Sequence, residues 1–496
     1  MKNNFRRTGL FTNLARTVRM ATYIRMQFLE GPVQQTTGRF LCKAAFLLAL
    51  VFLYHGAAFA QTCTAVPKQV LIDLTNQTAL PAVATQYGLD PTPIDQVGTP
   101  PTYRMRILDT NTQTSCQVAA AMQGDARITQ AETNRDVNLA EGDDLPWTLG
   151  HTWSIGHTWS IGGATAKGAA KQYYRQTVRL NQAHQISTGK GITVAVLDTG
   201  IDLTHPAFRD RLVPGYDFVD NDNDPSEVGV LRTNPVYGHG THVAGIIAQT
   251  APDVKIMPIR VLNSDGEGNL WRVKDAMIYA AQHGATVINM SFGYPPNLTP
   301  QSNTFLEDLF HACAGVPPGK GEQQFPELDD AVMLIVAGAG NGGQIGNGAN
   351  FVYPAAERFN SDDNVFSVGA STRYERLATF STMGNAGSGD ARWVRFVAPG
   401  ENIVSALPGG RYGVWSGTSM AAPIVSGIVG IVVSVNKGIK PTQLLEQMEE
   451  FGGAEWECHL PSRNTTMETT RIDAVCALNS ISGQNCPLPD RETCSE

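Results

Sequence analysis

Short apolar runs alternate with helix-like segments from residue 191 onward, and this alternation constrains the fold more than any other feature. Strand-like runs rich in Val, Ile and Leu occupy residues 191–198, 254–262, 286–290, 331–337 and 365–368. A helical pattern fills residues 270–283, and Gly284 follows it as a helix-ending glycine. This alternation predicts an α/β fold, a mostly parallel sheet with helices on both faces. Further helices are predicted over residues 442–450 and 471–478.

Three glycine-flanked segments place polar side chains at the ends of such elements. Asp198 closes the first buried run, just before a glycine turn. His239 lies in the glycine-rich turn 238–242, which opens an apolar helix, and Ser419 leads into the apolar segment 424–435. Open α/β sheets bind their ligands at the carboxyl edge of the strands. We therefore expect these side chains to lie near one functional edge.

A serine at the start of a helix is most often only an N-cap. Here Gly417 allows a partner chain to approach closely, and the first N–H groups of the helix favour negative charge beside the Ser419 hydroxyl. Pro423 falls early in the helix, where a missing N–H costs least. The segment is thus compatible with a nucleophile as well as with a cap.

In their order Asp, His, Ser, these motifs closely resemble those of the subtilisin-like serine proteases, the subtilases. The resemblance covers roughly residues 191–435. It implies that Ser419 is the nucleophile, that His239 is the general base and later the acid, and that Asp198 orients the imidazole. His242, three residues after His239, is implied to be structural.

The resemblance also implies the oxyanion site. Asn341 follows an apolar strand and is surrounded by glycines. Such an asparagine is often a plain turn residue, but in this family it donates to the oxyanion together with the N–H of the nucleophilic serine.

A substrate site is implied by two further segments. One resembles the segment that pairs with an extended substrate as an added strand, and the other lies beside the specificity pocket. The residues expected to line it are Ser291, Phe292, Gly293, Gly338, Ala339, Gly340 and Val352. Val352 stands where many relatives have glycine. It predicts a shallow pocket that prefers a small or medium apolar residue before the cleaved bond.

Two other hydrolase types do not fit the motifs. A zinc site at His239 and His242 lacks the glutamate that follows the first histidine of metalloproteases. The segment around Ser419 lacks the second glycine of a nucleophile elbow, and the chain order differs. The expected function is a serine endopeptidase whose chemistry requires no cofactor. The alternative is a subtilase fold with a silent site, used for binding or assembly.

The first 60 residues predict an export signal. Residues 1–43 carry eight Lys or Arg and one acid, and residues 44–54 form an apolar core followed by Ala58-Phe59-Ala60. This layout is typical of a secretory signal peptide, with a membrane anchor as the alternative. The chain is therefore expected to be secreted or periplasmic, without stable membrane insertion after cleavage. The remaining 453 residues carry 29 basic and 44 acidic side chains, a surface that disfavours nucleic acid.

The rest of the chain divides into four predicted parts. Residues 61–148 resemble the layout of the small α+β pro-segment of secreted subtilases. Such a pro-segment assists folding and blocks the active site until it is removed. The alternative is a permanent N-terminal domain. Strands are predicted at 70–74, 103–107 and 127–139, and a helix at 116–122. A linker with a tandem His-Thr-Trp-Ser-Ile-Gly repeat spans 149–172, the peptidase domain 173–480, and a cysteine-containing tail 481–496.

Seven cysteines follow the signal, and export makes disulfides plausible. Nearness along the chain suggests three pairs, although connectivity does not follow from sequence. The suggested pairs are Cys63–Cys116, Cys458–Cys476 and Cys486–Cys494, with Cys313 left over.

An oxygen-rich loop precedes the histidine motif. Its carboxylates suit a structural calcium ion, but the loop lacks the EF-hand spacing, and solvated acidic turns are common. The calcium candidates are Asp217, Asp220, Asp222 and Asp224.

Overall fold

The computed structural model describes residues 65–138, 165–230, 233–293, 304–313, 315, 324–325, 328, 333–342, 354–355, 365–382, 394–460, 465–481 and 491–494. The predicted signal peptide, the repeat in the linker and Val352 lie outside these residues. All that follows concerns the described part of the chain.

The N-terminal part is a small α+β unit with its own core. Its elements are β1 (Ala65–Leu74), α1 (Leu80–Tyr87), β2 (Asp95–Val97), β3 (Thr102–Arg106), α2 (Ser115–Met122) and β4 (Ile128–Asn138). The strands pair antiparallel in the order β2-β3-β1-β4. Helix α2 begins where Thr114 and Gln117 form a reciprocal capping box. The three predicted strands and the predicted helix of this region are confirmed.

The remaining elements mix helices and strands. The first of them are α3 (Ala166–Ala170), α4 (Tyr174–Thr177), α5 (Leu180–Ala183), β5 (Thr193–Asp198), β6 (Tyr216–Asp217), α6 (His239–Thr250), β7 (Lys255–Arg260), β8 (Glu267–Asn269), α7 (Leu270–Gln282), β9 (Val287–Met290) and α8 (Thr304–Cys313). They continue with β10 (Leu334–Gly338), β11 (Val365–Ser371), β12 (Phe396–Pro399), β13 (Ile403–Leu407), β14 (Arg411–Trp415), α9 (Thr418–Val435), α10 (Pro441–Phe451), β15 (Gly453–Leu460), β16 (Thr465–Ile472), α11 (Ala474–Ser480) and β17 (Arg491–Cys494).

A ten-stranded sheet organises this part, in the order β17-β15-β16-β12-β11-β10-β9-β5-β7-β6. Every pair from β16 to β6 is parallel, and only β15 and β16 run antiparallel. Both faces are covered, because alternate side chains of β5 enter different cores. Val194 and Val196 face the core of α6 and α9, whereas Ala195 and Leu197 face that of α7 and α8. The predicted α/β fold is confirmed.

Helix α9 is the central helix of the first of these cores. It is the one described helix that is long and apolar enough to cross a membrane by length and composition, yet 89% of that window is buried inside the protein. Its composition is explained by its position against β9 to β12.

One predicted helix boundary is wrong. The helix expected over residues 471–478 begins at Ala474, and Arg471 and Ile472 end strand β16. Asp473 sets the boundary, because its side chain accepts the N–H groups of Val475 and Cys476 as an N-cap. By contrast, Gly284 ends α7 as predicted, with a positive φ of 79°.

Candidate active site

The parallel strands bring three predicted site segments to one edge of the sheet. Asp198 is the last residue of β5, Ser291 follows β9, and Asn341 follows β10. Because β5, β9 and β10 are neighbours in this order, their carboxyl ends lie side by side. The expected functional edge is therefore present.

The Asp198 and His239 side chains are in direct contact. His239 Nδ1 lies 2.7 Å from Asp198 Oδ1, and both side chains are buried. His239 is the first residue of α6, and Gly238 before it has a φ of 97°, a conformation that favours glycine. A side chain at Gly240 would collide with the carbonyl oxygen of Gly200. The predicted glycine-rich turn thus allows α6 to approach the end of β5.

Ser419 is the second residue of α9 and is held against the end of β9. Its hydroxyl donates to the Ser291 carbonyl at 3.1 Å, and the Ser291 hydroxyl donates to the Ser419 carbonyl at 3.1 Å. The second bond has a clear cause. Pro423 has no N–H, so the helix cannot supply the usual donor to the carbonyl four residues earlier. The Ser291 hydroxyl satisfies that carbonyl instead.

Trp415 joins the histidine segment to the serine segment. It ends β14, four residues before Ser419. Its ring lies 5.6 Å from the His239 ring and stacks on the His242 ring at 5.2 Å, with 13° between the planes. The tryptophan is almost completely buried and therefore forms a rigid wall beside both histidines.

Asn341 is oriented by the residue that precedes Ser419. The Thr418 N–H and hydroxyl donate to Asn341 Oδ1 at 2.9 and 3.1 Å, and the Thr418 hydroxyl accepts the Gly340 N–H at 3.0 Å. A backbone N–H can only donate, so these contacts identify Oδ1 and leave the Nδ2 amino group turned away from Thr418. Thr418 thus fixes the orientation of the Asn341 amide at the start of α9.

Comparison with known proteins agrees with this geometry. The sequence model of the Subtilase family (Peptidase S8) matches residues 189–473, more than half of the chain. The chain belongs to the subtilase family.

Similar proteins include the thermophilic serine proteinase of Bacillus sp. (strain AK1), 37% identical over 288 residues, which are 56% of this chain and 61% of that protein. Thermitase of Thermoactinomyces vulgaris is 32% identical over 277 residues, 54% of this subtilase and 83% of thermitase. Among solved structures, fervidolysin of Fervidobacterium pennivorans matches with a TM-score of 0.59 at 20% identity. The match covers 86% of this chain and 62% of the fervidolysin chain. At that identity the likeness concerns the fold.

The described residues of the predicted substrate site lie at the same edge of the subtilase sheet. They follow β9, or end or follow β10, and all are buried. They are Ser291, Phe292, Gly293, Gly338, Ala339 and Gly340. Gly338 packs against Thr418, where a side chain would be within 3.2 Å of the threonine hydroxyl. Val352 and its effect on the pocket stay a prediction.

The calcium candidates do not form a fitting metal site. Arg260 Nη1 lies 2.6 Å from Asp217 Oδ2 and 2.5 Å from Asp220 Oδ2, so a guanidinium already neutralises both carboxylates. Asp222 accepts the Asp224 N–H, as in an ordinary turn. Among the described residues, no three His, Cys, Asp or Glu side chains are grouped to hold a metal ion. A structural calcium ion in this loop stays a prediction from the sequence.

His242 should make the subtilase sensitive to acid. Burial and the neighbouring His239 lower the pKa of His242 from 6.5 to about 3. The neutral ring therefore contributes stability that is present above pH 6.5 and is lost as the pH falls from 6.5 towards 3. We expect urea unfolding of a Ser419→Ala protein to show up to about 4 kcal/mol of acid destabilisation from this group.

The matched test is His242→Phe, which keeps an aromatic ring against Trp415 but cannot be charged. This variant should lose less stability between pH 6.5 and 3, and the exposed control His283→Gln should behave as the parent. Equal acid destabilisation of all three proteins would contradict the assignment.

Two parts of the site were missed at the sequence level. Glu227 is hydrogen-bonded to Thr199, which follows Asp198, and to Thr241, which comes two residues after His239. In sequence, however, it is one more acid in an acidic loop. Strand β8 pairs antiparallel with β4 of the N-terminal unit. Three residues such as Glu-Gly-Asn carry no strand pattern, so no local signal marks them.

Proposed function

We propose that this subtilase is an exported serine endopeptidase that hydrolyses peptide bonds through Asp198, His239 and Ser419 and is made as an inactive precursor. The main support is the 2.7 Å contact between His239 Nδ1 and Asp198 Oδ1, at the sheet edge that also carries the Ser291–Ser419 pair. The family relationship gives the same order of residues.

In the proposed reaction, the Ser419 hydroxyl turns from the Ser291 carbonyl towards His239 and attacks the substrate carbonyl carbon. His239 Nε2 takes the hydroxyl proton and then delivers it to the leaving amine, which breaks the peptide bond. Asp198 keeps the Nδ1–H tautomer and stabilises the imidazolium. Water then hydrolyses the acyl-enzyme by the same route, and the product acid leaves Ser419 protonated again.

The oxyanion that forms in each step needs donors at the start of α9. The Ser419 N–H is among the first N–H groups of that helix, which have no partners inside the helix. Asn341 supplies the second donor through Nδ2, because its Oδ1 is held by Thr418. Both donors are preorganised by buried backbone, so little rearrangement accompanies the reaction.

The substrate class follows from the backbone at this edge. Segment 291–293 follows the carboxyl end of β9, and β8 follows that of β7 and is the last strand of the five-stranded sheet. We assign both segments to pairing with the main chain of substrate. Strand addition recognises main chain and therefore suits an extended polypeptide.

The inhibitory role of the N-terminal unit is supported by its docking. The end of β4 pairs with β8, with Asp136 opposite Asn269 and Asn138 opposite Glu267. The Trp271 side chain donates to Asp95 at 3.0 Å, and Val137 packs in the core formed by α7. The unit thus occupies, as an antiparallel strand, the edge that we assign to substrate. The stretch after Asn138 then continues as the linker to be cut.

Export is supported by the basic and apolar N-terminal sequence and by the cysteines. Cys116 and Cys476 are each disulfide-bonded, whereas Cys313 is buried and free. Disulfides persist mainly in oxidising compartments. The suggested pairings stay predictions.

The deciding experiment is labelling of the purified protein with a fluorophosphonate probe. An activated Ser419 reacts and the Ser419→Ala protein does not. If the wild-type protein neither reacts nor cleaves a peptide library after maturation, the alternative of a silent binding protein is correct.

A second expected result concerns the N-terminal unit. Residues 61–145 added to the mature enzyme should inhibit it, and the Val137→Asp version should inhibit much less, because Val137 is fully buried against α7. In the full-length precursor, the same substitution should bring earlier fluorophosphonate labelling. A mature enzyme that retains an intact chain from Gln61 would make the unit a permanent domain.

A further inference from the structure

Glu227 lies between the segments that carry Asp198 and His239. Its Oε1 accepts the Thr199 hydroxyl at 2.6 Å. Its Oε2 accepts the Thr241 N–H at 3.1 Å and the Thr241 hydroxyl at 2.8 Å. Thr199 directly follows Asp198, and Thr241 comes two residues after His239 in the first turn of α6. One carboxylate therefore connects the end of β5 to the start of α6.

The Thr199 hydroxyl has one proton and two acceptors within reach. It lies 2.6 Å from Glu227 Oε1 and 3.3 Å from Asp198 Oδ1, and it accepts the Gly240 N–H at 3.0 Å. When Glu227 is ionised, the Thr199 hydroxyl donates to it and not to Asp198, because the contact with Glu227 is the shorter of the two. The hydroxyl then has no proton to donate to Asp198.

Asp198 Oδ1 already accepts two hydrogen bonds. They come from His239 Nδ1 at 2.7 Å and from the Thr199 N–H at 2.8 Å. Within the described part of the chain, Asp198 Oδ2 has no hydrogen-bond partner. A third donor on Oδ1 would compete directly with the imidazole for the charge of this carboxylate.

A proton added to Glu227 would bring in that third donor. Glu227 Oε2 already accepts two hydrogen bonds from Thr241, one from its N–H and one from its hydroxyl. The Thr241 hydroxyl oxygen also accepts the Asp202 N–H at 2.9 Å, so its single proton is directed at Glu227. The new proton must therefore reside on Oε1 and donate to the Thr199 oxygen. The Thr199 proton then turns to Asp198 Oδ1, and every group keeps a partner.

We propose that Glu227 is a positioning residue for the Asp198–His239 pair. In its ionised form, Glu227 holds the Thr199 hydroxyl away from Asp198. The inference rests on the proposed peptidase function and adds a residue to it. Protonation of Glu227 weakens the support that Asp198 gives to the imidazolium, so the reaction slows before any group in contact with substrate has changed.

The electrostatics place this switch in a useful pH range. Burial raises the pKa of Glu227 from 4.5 to about 7, the hydrogen bonds from Thr199 and Thr241 oppose the rise, and the Asp198 charge adds to it. The titratable groups that face Glu227 are Asp198 at the end of β5 and Tyr237 in the loop before α6, whose own pKa is raised by burial and by Glu227. The carboxylate therefore changes charge near neutrality.

The test is Glu227→Gln in the full-length protein after maturation, with rates divided by the concentration of titrated active sites. The Thr241 N–H requires the glutamine oxygen at the Oε2 position, so the amino group must donate to Thr199. The variant thus mimics protonated Glu227 at every pH. At about pH 8.5 we expect its kcat/KM to be roughly three- to tenfold below wild type, mostly in kcat. At about pH 5.5 the two enzymes should converge.

Two controls separate this role from a structural one. Asp253→Asn removes an exposed carboxylate three residues after the C-terminal end of α6 and should leave the pH profile unchanged. In a Thr199→Val background, Glu227→Gln should have no pH-dependent effect, because the switching hydroxyl is gone. A wild-type to Glu227→Gln ratio that stays constant from about pH 5.5 to 8.5 would overturn the proposal, even if thermal stability falls.

An independent measurement needs no Glu227 variant and no activity. In the Ser419→Ala protein, the downfield proton resonance of the His239 Nδ1–H should shift with a midpoint near pH 7 that is distinct from the titration of the ring itself. A single midpoint would contradict the proposal. If this resonance behaves as expected but the wild-type enzyme neither cleaves peptides nor labels, the peptidase function fails and the hydrogen-bond switch stands.

Discussion

Replacing Ser419 by alanine is expected to lower kcat by about 10⁶-fold, the loss that removal of the nucleophile causes in subtilisin. Alanine lacks the attacking oxygen, and neither His239 nor Asn341 can supply one. The fold should persist, because alanine favours a helix and the Ser419 carbonyl keeps its bond from Ser291. Hydrolysis of a chromogenic peptide, with the unfolding temperature measured in parallel, tests both statements.

The matched control is Ser434→Ala in the same helix. Ser434 donates to the Ile431 carbonyl and lies close to Ser187, far along α9 from the sheet edge. It should retain wild-type kcat. A Ser419→Ala protein that cleaves peptides at the wild-type rate would disprove the proposed mechanism. A variant that fails to fold would show only that Ser419 is also structural, and fluorophosphonate labelling of the wild type would then decide the matter.

Replacing Asn341 by alanine is expected to lower kcat by about 10²- to 10³-fold with little change in KM. The amide Nδ2 binds the oxygen only after it has become negative, so its loss affects the transition state more than the bound substrate. Thr418 also loses the acceptor of its N–H and hydroxyl, and some loss of stability should accompany the change. Kinetics on titrated active sites separate the two effects.

The control is Asn181→Ala, an exposed asparagine in α5 that contacts Arg175. It should change neither constant. If Asn341→Ala raises KM and leaves kcat unaltered, Asn341 is a binding or turn residue. The alternative that the sequence left open would then be correct.

The strand ends of the site could be predicted because local signals mark them. Asp198 ends an apolar run before a glycine turn, and Ser419 begins an apolar helix after one. Glycines at 238 and 240 are required by backbone conformation and close approach, and both are visible in sequence. These features depend on neighbours within a few residues, which is the range over which sequence patterns are informative.

The missed contacts join residues that are distant in sequence. Glu227 pairs with Thr199 and Thr241, 28 and 14 residues away. Arg260 neutralises Asp217 from 43 residues away, which a pattern of acidic residues cannot reveal. The boundary at Asp473 was missed for another reason. An apolar residue, Ile472, precedes it and extends the apparent helical pattern into a strand that only tertiary pairing stabilises.

The pairing of β4 with β8 has a consequence for the behaviour of the protein in solution. If the proposed maturation removes the residues up to 138, β8 loses its partner strand β4 and keeps only the local bonds between Glu267 and Asn263. An unpaired strand of this kind can recruit strands from other molecules. Two features limit such self-association. The strand is three residues long, and it begins with the exposed Glu267. A short strand that carries a negative charge can pair with a peptide substrate. Two copies of the same strand would form few hydrogen bonds with each other and would bring two like charges together.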